Sequence, residues 1–269
     1  VEAGLRSFDR TMPEEINRIL TDTISDRLLV TEPSGVENLK NEGIDGDRVH
    51  HVGNVMIDTL LSCRDRAADS TILSRLGLEP RRYAAVTLHR PANVDRLKTL
   101  SDIIEVFAAI ARDMPVVFPM HPRTRKNLTG LGLEENVGRI KRLHILEPLG
   151  YLDFLKLTAD AAVVLTDSGG IQEETTILNV PCLTLRNNTE RPITLTQGTN
   201  RLTGTDPDAI LAAYRDIRQR PPTVARPPDL WDGHAAERIV TELMKNRDTT
   251  AWAQDVHEKE CLLAPRQGS

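Results

Sequence analysis

The chain is 269 residues long, 39% hydrophobic and 3% aromatic, with a formal net charge of -5 and a pI near 5.9. An acidic balance without a basic block excludes a nucleic-acid or acidic-membrane surface as the main partner, and the scarcity of aromatics excludes a stacking platform for single strands. No apolar run approaches the roughly 18 residues of a membrane span, and Cys63, Cys182 and Cys261 are too scattered for a paired metal spacing, so a cytoplasmic protein with reduced thiols, no metal and no membrane contact is expected.

In chain order, Pro13-Glu14-Glu15 opens a helix whose Ile16, Ile19 and Leu20 fall at i, i+3 and i+4 on one apolar face. Residues 27–30 read as a strand, 35–42 as a helix, 49–52 as a strand, and a long helix starts near Met56. The cycle then restarts, with strands expected at 83–88, 115–118, 142–146, 161–165 and 181–185, separated by helical stretches such as 100–112 and 151–159. Alternation of this kind predicts a doubly wound parallel α/β sheet with ligands at the carboxyl ends of its strands.

Several strand ends carry polar groups suited to chemistry. Thr87-Leu88-His89-Arg90-Pro91 follows one strand, His121-Pro122-Arg123 the next, and Asn187-Asn188-Thr189-Glu190-Arg191-Pro192 the fifth. Two adjacent strands ending in histidine and arginine point to an anionic pocket. Histidines that only form structural hydrogen bonds, and an Arg191 paired with a surface carboxylate, are the alternatives.

The ten residues Leu165-Thr166-Asp167-Ser168-Gly169-Gly170-Ile171-Gln172-Glu173-Glu174 say most about function. They join an apolar strand to a helix, with Ser168, Gly169 and Gly170 at the turn leaving backbone N–H groups where the helix dipole favours anions. Glu174 follows Gly170 by one helical turn, where a carboxylate accepts hydrogen bonds from both hydroxyls of a ribose. Phosphate above and ribose below describe a nucleoside diphosphate. Taken alone, the same residues also allow an ordinary turn in which Asp167 or Ser168 is the N-cap and the glutamates are dipole partners.

Seven ordered motifs then carry a resemblance: residues 1–7 (VEAGLRS), 13–18 (PEEINR), 87–93 (TLHRPAN), 147–154 (EPLGYLDF), the 166–174 turn, 189–192 (TERP) and 231–239 (WDGHAAERI). Together they resemble the non-hydrolysing UDP-N-acetylglucosamine 2-epimerases from Val1 to about Met244. The glycine-rich turn separates that branch from the hydrolysing one. The resemblance implies two Rossmann-like domains in a GT-B arrangement, a UDP-sugar in the cleft, no cofactor, a homodimer and a role in supplying cell-envelope polysaccharide. It implies that Ser168, Gly169, Gly170 and Glu174 hold diphosphate and ribose, that Arg90, His121 and Arg191 complete the substrate pocket, and that Glu2, Glu14 and His89 lie at the catalytic site. Which glutamate is base and which is acid stays open, and Glu14 alone also reads as a first-turn dipole partner.

Family members carry roughly a hundred residues upstream of the first motif, so an incomplete first domain is expected over 1–65, followed by a UDP-binding domain over 66–247 and a loosely ordered tail over 248–269. A glycosyltransferase of similar architecture and a truncated, non-catalytic UDP-sugar binder are the alternative functions.

Overall fold

The computed structural model describes residues 1–220 and 226–245; the expected tail and Cys261 lie outside these residues. The chain first forms α1 (Pro13–Ile24), β1 (Leu28–Val30), α2 (Pro33–Asn41) and β2 (Val49–His51). β1 and β2 pair in parallel, Leu28 opposite Val49 and Val30 opposite His51. Ala3, Leu28, Val30 and Leu39 form a small core, and the Ala3 N–H bonds the Leu29 carbonyl at 3.1 Å, laying the N-terminal segment beside β1.

α1 starts at Pro13 as expected, but its apolar face does not pack. Ile16 and Leu20 are 38% and 58% exposed, and the residues α1 buries are Glu15 and Asp22. The 1–8 segment explains the inversion. Asp22 accepts from the Gly4 N–H at 2.9 Å and pairs with buried Arg6 at 2.8 Å, while Glu15 accepts the N–H groups of Ser7 and Phe8 at 2.9 and 2.8 Å. Orphaning those buried donors costs more than wetting a few aliphatic side chains.

α3 (Val55–Ala68), started by Asn54 capping the Met56 N–H, and α4 (Ile72–Leu76) lead to the larger sheet. Its elements are β3 (Ala84–Thr87), α5 (Pro91–Val94), α6 (Leu97–Asp113), β4 (Val116–Pro119), α7 (Pro122–Gly130), α8 (Glu134–Gly138), β5 (Leu143–Leu146), α9 (Tyr151–Ala159), β6 (Val163–Thr166), α10 (Gly169–Leu178), β7 (Cys182–Thr184), α11 (Ile193–Thr196), β8 (Asn200–Leu202) and α12 (Pro207–Gln219). All six strands are parallel, in the order β5-β4-β3-β6-β7-β8. The chain winds outward from β3 one way and from β6 the other, so the switch point lies between those two strands.

The two-residue period of β3 divides the cores. Ala84, Val86 and Leu88 face α6 and α12 through Leu100, Ile103, Phe107, Ile110, Ile210 and Ile217, whereas Tyr83 and Ala85 face Ile72, Leu73 and Leu157. The five expected strands are present within a residue or two. The sixth, β8, has the sequence Asn-Arg-Leu at the sheet edge and carries no apolar run.

The chain finally returns to its beginning. α13 (Ala235–Met244) packs on α3, with the Ala235 and Ala236 N–H groups on the Asp58 carboxylate at 3.1 and 2.7 Å, and Trp231 Nε1 donates to the Thr31 carbonyl at 3.0 Å. The two crossings meet at Gly53 and Leu230. Both are left-handed, at φ 88° and 63°, and a Cβ at Gly53 would stand 2.1 Å from the Leu230 carbonyl oxygen. Among the described residues no helix is long and apolar enough to cross a membrane.

Candidate active site at the strand switch point

The loops after β3 and β6 are fastened together by Asp167. Its fully buried carboxylate accepts the N–H groups of His89 (3.1 Å) and Arg90 (2.9 Å), the Asn93 amide (3.1 Å) and contacts His89 Nδ1 at 3.1 Å. Asp167 is therefore not an N-cap; it fixes the His89-Arg90 turn. Ser168 occupies the N-cap position of α10, but its side chain makes no capping bond, so no side chain caps that helix start. An uncapped helix N-terminus keeps its donors and its dipole free for an anion.

The glycines at this turn serve close approach. Gly169 and Gly170 are the first residues of α10 and have no left-handed φ. A Cβ at Gly169 would meet Arg191 Nη1 at 2.9 Å and Glu190 Oε1 at 3.0 Å, and one at Gly170 would meet Met56 Cε at 2.9 Å. Removing the side chains lets the guanidinium of Arg191 lie against the helix start.

Arg191 is buried, with Nε 2.8 Å from Glu173, Nη1 3.2 Å from Glu190 and Nη2 3.7 Å from Glu2, so the surface-carboxylate alternative is excluded. Glu190 is the hub beside it. Arg186 approaches its carboxylate at 2.7 Å, Arg191 at 3.2 Å, and Arg18 and Arg90 at 3.4 Å each. Burial opposes its charge, yet Arg186 and Arg191 hold the Glu190 carboxyl down at about 2. Glu173, fully buried, is pushed the other way: burial raises it to about 7 against the pull of Arg191, with Glu2 and Glu32 adding to the rise.

Glu174, next in α10 and one turn beyond Gly170, is buried, with Tyr151 Oη 3.4 Å from Oε1 and no partner on Oε2. Burial lifts its carboxyl to about 7. The His89 and His121 rings stand 6.1 Å apart, and His121 Nδ1 accepts the Arg123 N–H at 3.2 Å, which leaves Nε2–H as a donor. Glu14 is exposed at the mouth of a cavity of about 520 Å³, shared with Arg90, Arg96, Asn93 and Arg186, where Arg186 Nη1 is buried without a partner. Glu2, Arg90, Arg191 and the Ser168-Gly169 turn thus gather around Glu190, with His89 held behind Arg90 by Asp167. Glu14 faces the same region across the cavity. Sequence reading missed the hub itself: the fold brings Arg18 from 172 residues away and Arg90 from 100 to Glu190, which Arg186 meets from four residues upstream.

A doubly wound sheet with a glycine-opened, uncapped helix at its switch point and arginines against that helix defines a Rossmann-like α/β protein whose switch-point crevice suits an anion. The profile of the family described as UDP-N-acetylglucosamine 2-epimerase matches residues 1–244, and the chain belongs to that family. It is 43% identical over 217 residues to a UDP-N-acetylglucosamine 2-epimerase of Methanococcus maripaludis, covering 78% of this chain and 59% of that one. It is 39% identical over 250 residues to the UDP-2,3-diacetamido-2,3-dideoxy-D-glucuronate 2-epimerase of Pseudomonas aeruginosa, covering 91% and 67%. Its structure superposes on the crystal structure of the Methanocaldococcus jannaschii UDP-GlcNAc 2-epimerase in complex with UDP-GlcNAc and UDP, with a TM-score of 0.85 at 40% identity, covering 91% and 68%. The Rossmann-like, GT-B organisation is that of these enzymes. The chain spans 59% of the length of the Methanococcus enzyme, and about two thirds of the other two.

Proposed function

We propose that this chain epimerises carbon 2 of a UDP-sugar by eliminating and re-adding UDP, with UDP-N-acetylglucosamine and UDP-N-acetylmannosamine as the exchanging pair. The observation that carries the reading is the uncapped N-terminus of α10, with Arg191 against Gly169 and Glu2 within 3.7 Å of Arg191, in a chain of this family. The diphosphate sits on the N–H groups at Gly169 and Gly170 and the Ser168 hydroxyl, the Ser168 N–H being held by Thr166 Oγ1 at 3.0 Å, with Arg90, Arg191 and His121 supplying positive charge and donors. Glu174 takes the ribose hydroxyls.

The chemistry follows from charge. One carboxylate of Glu2 and Glu14 removes the carbon-2 proton while the C1–O bond to the β-phosphate breaks; the C–H electron pair becomes a C1=C2 double bond and the departing UDP keeps the C–O pair. His89 and the arginines stabilise the leaving diphosphate. Re-addition of UDP at carbon 1, with protonation of the opposite face of carbon 2 from the other carboxyl, gives the epimer. Residues 1–65 bring Glu2 and Glu14 and residues 66–247 bring the cradle, although α13 lies within the second span and fastens on the first. The protein works in the cytoplasm as a homodimer in this reading. The Pseudomonas relative favours a 2,3-diacetamido sugar nucleotide as second substrate.

In deuterated water, solvent deuterium is expected at carbon 2 of both epimers, because the abstracted proton exchanges before it returns. Glu14→Gln should lower exchange and turnover together by about a hundredfold. Epimerisation without deuterium at carbon 2 rules out elimination, and UDP binding without any exchange leaves a non-catalytic binder. Glu174→Ala should weaken UDP by about 1.5–3 kcal/mol by calorimetry, and equal affinity for UDP and dUDP removes its ribose role.

A further inference from the structure

Glu2 is held in a conformation that its own sequence does not favour. Its φ is 62°, in the left-handed region, and its side chain is about one third exposed. The backbone on its C-terminal side is tied down: Ala3 by the Leu29 carbonyl at 3.1 Å, Gly4 by Asp22 at 2.9 Å, and Gly4 against Gly35 so closely that a Cβ would stand 2.2 Å from the Gly35 carbonyl oxygen. Strain kept by surrounding bonds is a feature of positioned functional groups. The side chain that this turn presents reaches one cation, Arg191.

Arg191 cannot move to meet it. Behind it lies Glu173, itself bound by the Asn54 amide at 2.9 Å; beside it lies Glu190; and Gly169 leaves only enough room for the guanidinium in its present place. Glu2, Glu32 and Glu173 bring three carboxylates from three segments toward this one guanidinium, and Oε2 of both Glu32 and Glu173 is buried without a partner.

Resting on the epimerase reading above, we propose that Arg191 is a positioning residue: shared between Glu173 behind it and Glu2 in front, it fixes the Glu2 carboxylate beside the start of α10, and Glu173 sets how much of the guanidinium Glu2 receives. Burial holds Glu173 neutral below about 7, which leaves Arg191 to Glu2 and Glu190; as pH rises through that value Glu173 ionises and competes for it. The charged groups facing Glu173 are Arg191, Glu2 and Glu32, with Asn54 its neutral partner.

The test follows the Nε–Hε NMR resonance of Arg191 in the intact chain, identified by its loss in Arg191→Lys. In the unmutated chain an inflection near pH 7 is expected. Glu173→Gln should remove that inflection, and Glu2→Gln should displace the resonance at every pH. A resonance that ignores Glu2→Gln, or that shows no inflection in the unmutated chain, overturns the proposal; both measurements stand even where Glu173→Gln does not fold. Absence of UDP binding sinks the epimerase reading instead, since the resonance reports the Arg191 contacts without nucleotide.

Discussion

The helices α6 and α1 are both amphipathic, and they are anchored by opposite means. α6 turns Leu100, Ile103, Phe107 and Ile110 into the core of the six-stranded sheet. α1 exposes Ile16, Leu20 and Ile24 and buries Glu15 and Asp22. The larger unit is held by apolar area, which is non-directional and tolerates small shifts. In the smaller one, beside the Ala3, Leu28, Val30 and Leu39 core, α1 is held by a few directional charge-assisted bonds, which specify one position for the segment carrying Glu2.

The sharpest way to break this contrast is to cut each anchor. Phe107→Ala should cost about 3–5 kcal/mol through a core cavity, and Arg6→Ala a similar amount by stranding the buried Asp22 carboxylate. Hydrogen exchange should separate the two: Arg6→Ala should deprotect β1 and β2 while the six-stranded sheet stays protected, and uniform deprotection would show that the units are not separately anchored.

A smaller effect comes from pH. Glu190, lowered to about 2, contributes stability that is present above its unfolded value near 4.3 and lost as pH falls toward 2. Glu173 and Glu174, raised to about 7, bind more protons folded than unfolded between about 4.3 and 7, so stability should decline as pH rises across that window, by on the order of 1–3 kcal/mol per group. Urea midpoints from pH 4.5 to 8 should fall, and Glu173→Gln should flatten the decline. A rising midpoint contradicts the burial of these carboxyls. The smallest change is expected for Leu20→Ser, within about 0.5 kcal/mol; a loss of 2 kcal/mol or more in denaturant would mean that the α1 face is covered in solution.

Much of the larger sheet was legible because its inner strands are short, uninterrupted apolar runs, and a parallel strand covered on both faces needs nothing else. β8 was illegible because an edge strand of Asn, Arg and Leu has no such run. Periodicity located α1 but not which way it faces, since a hydrophobic stripe states a preference that the donors of residues 4–8 outweigh. In the site, the glycines at 169 and 170 were readable as glycines but not for their reason, which is the approach of side chains from Met56 and Arg191. The Glu190 hub joins Arg186 and Arg191, its neighbours in the chain, to Arg18 and Arg90 from far away, and no local pattern announces that a carboxylate in Thr-Glu-Arg-Pro gathers that distant pair.

The meeting of Gly53 and Leu230 has a mechanical consequence. With the Gly53 backbone against the Leu230 carbonyl, Trp231 on Thr31, and Ala235 and Ala236 on Asp58, the last described helix clamps the opening of the chain at several points at once. A methyl group at position 53 would wedge that clamp open from 31 positions before the first strand of the six-stranded sheet.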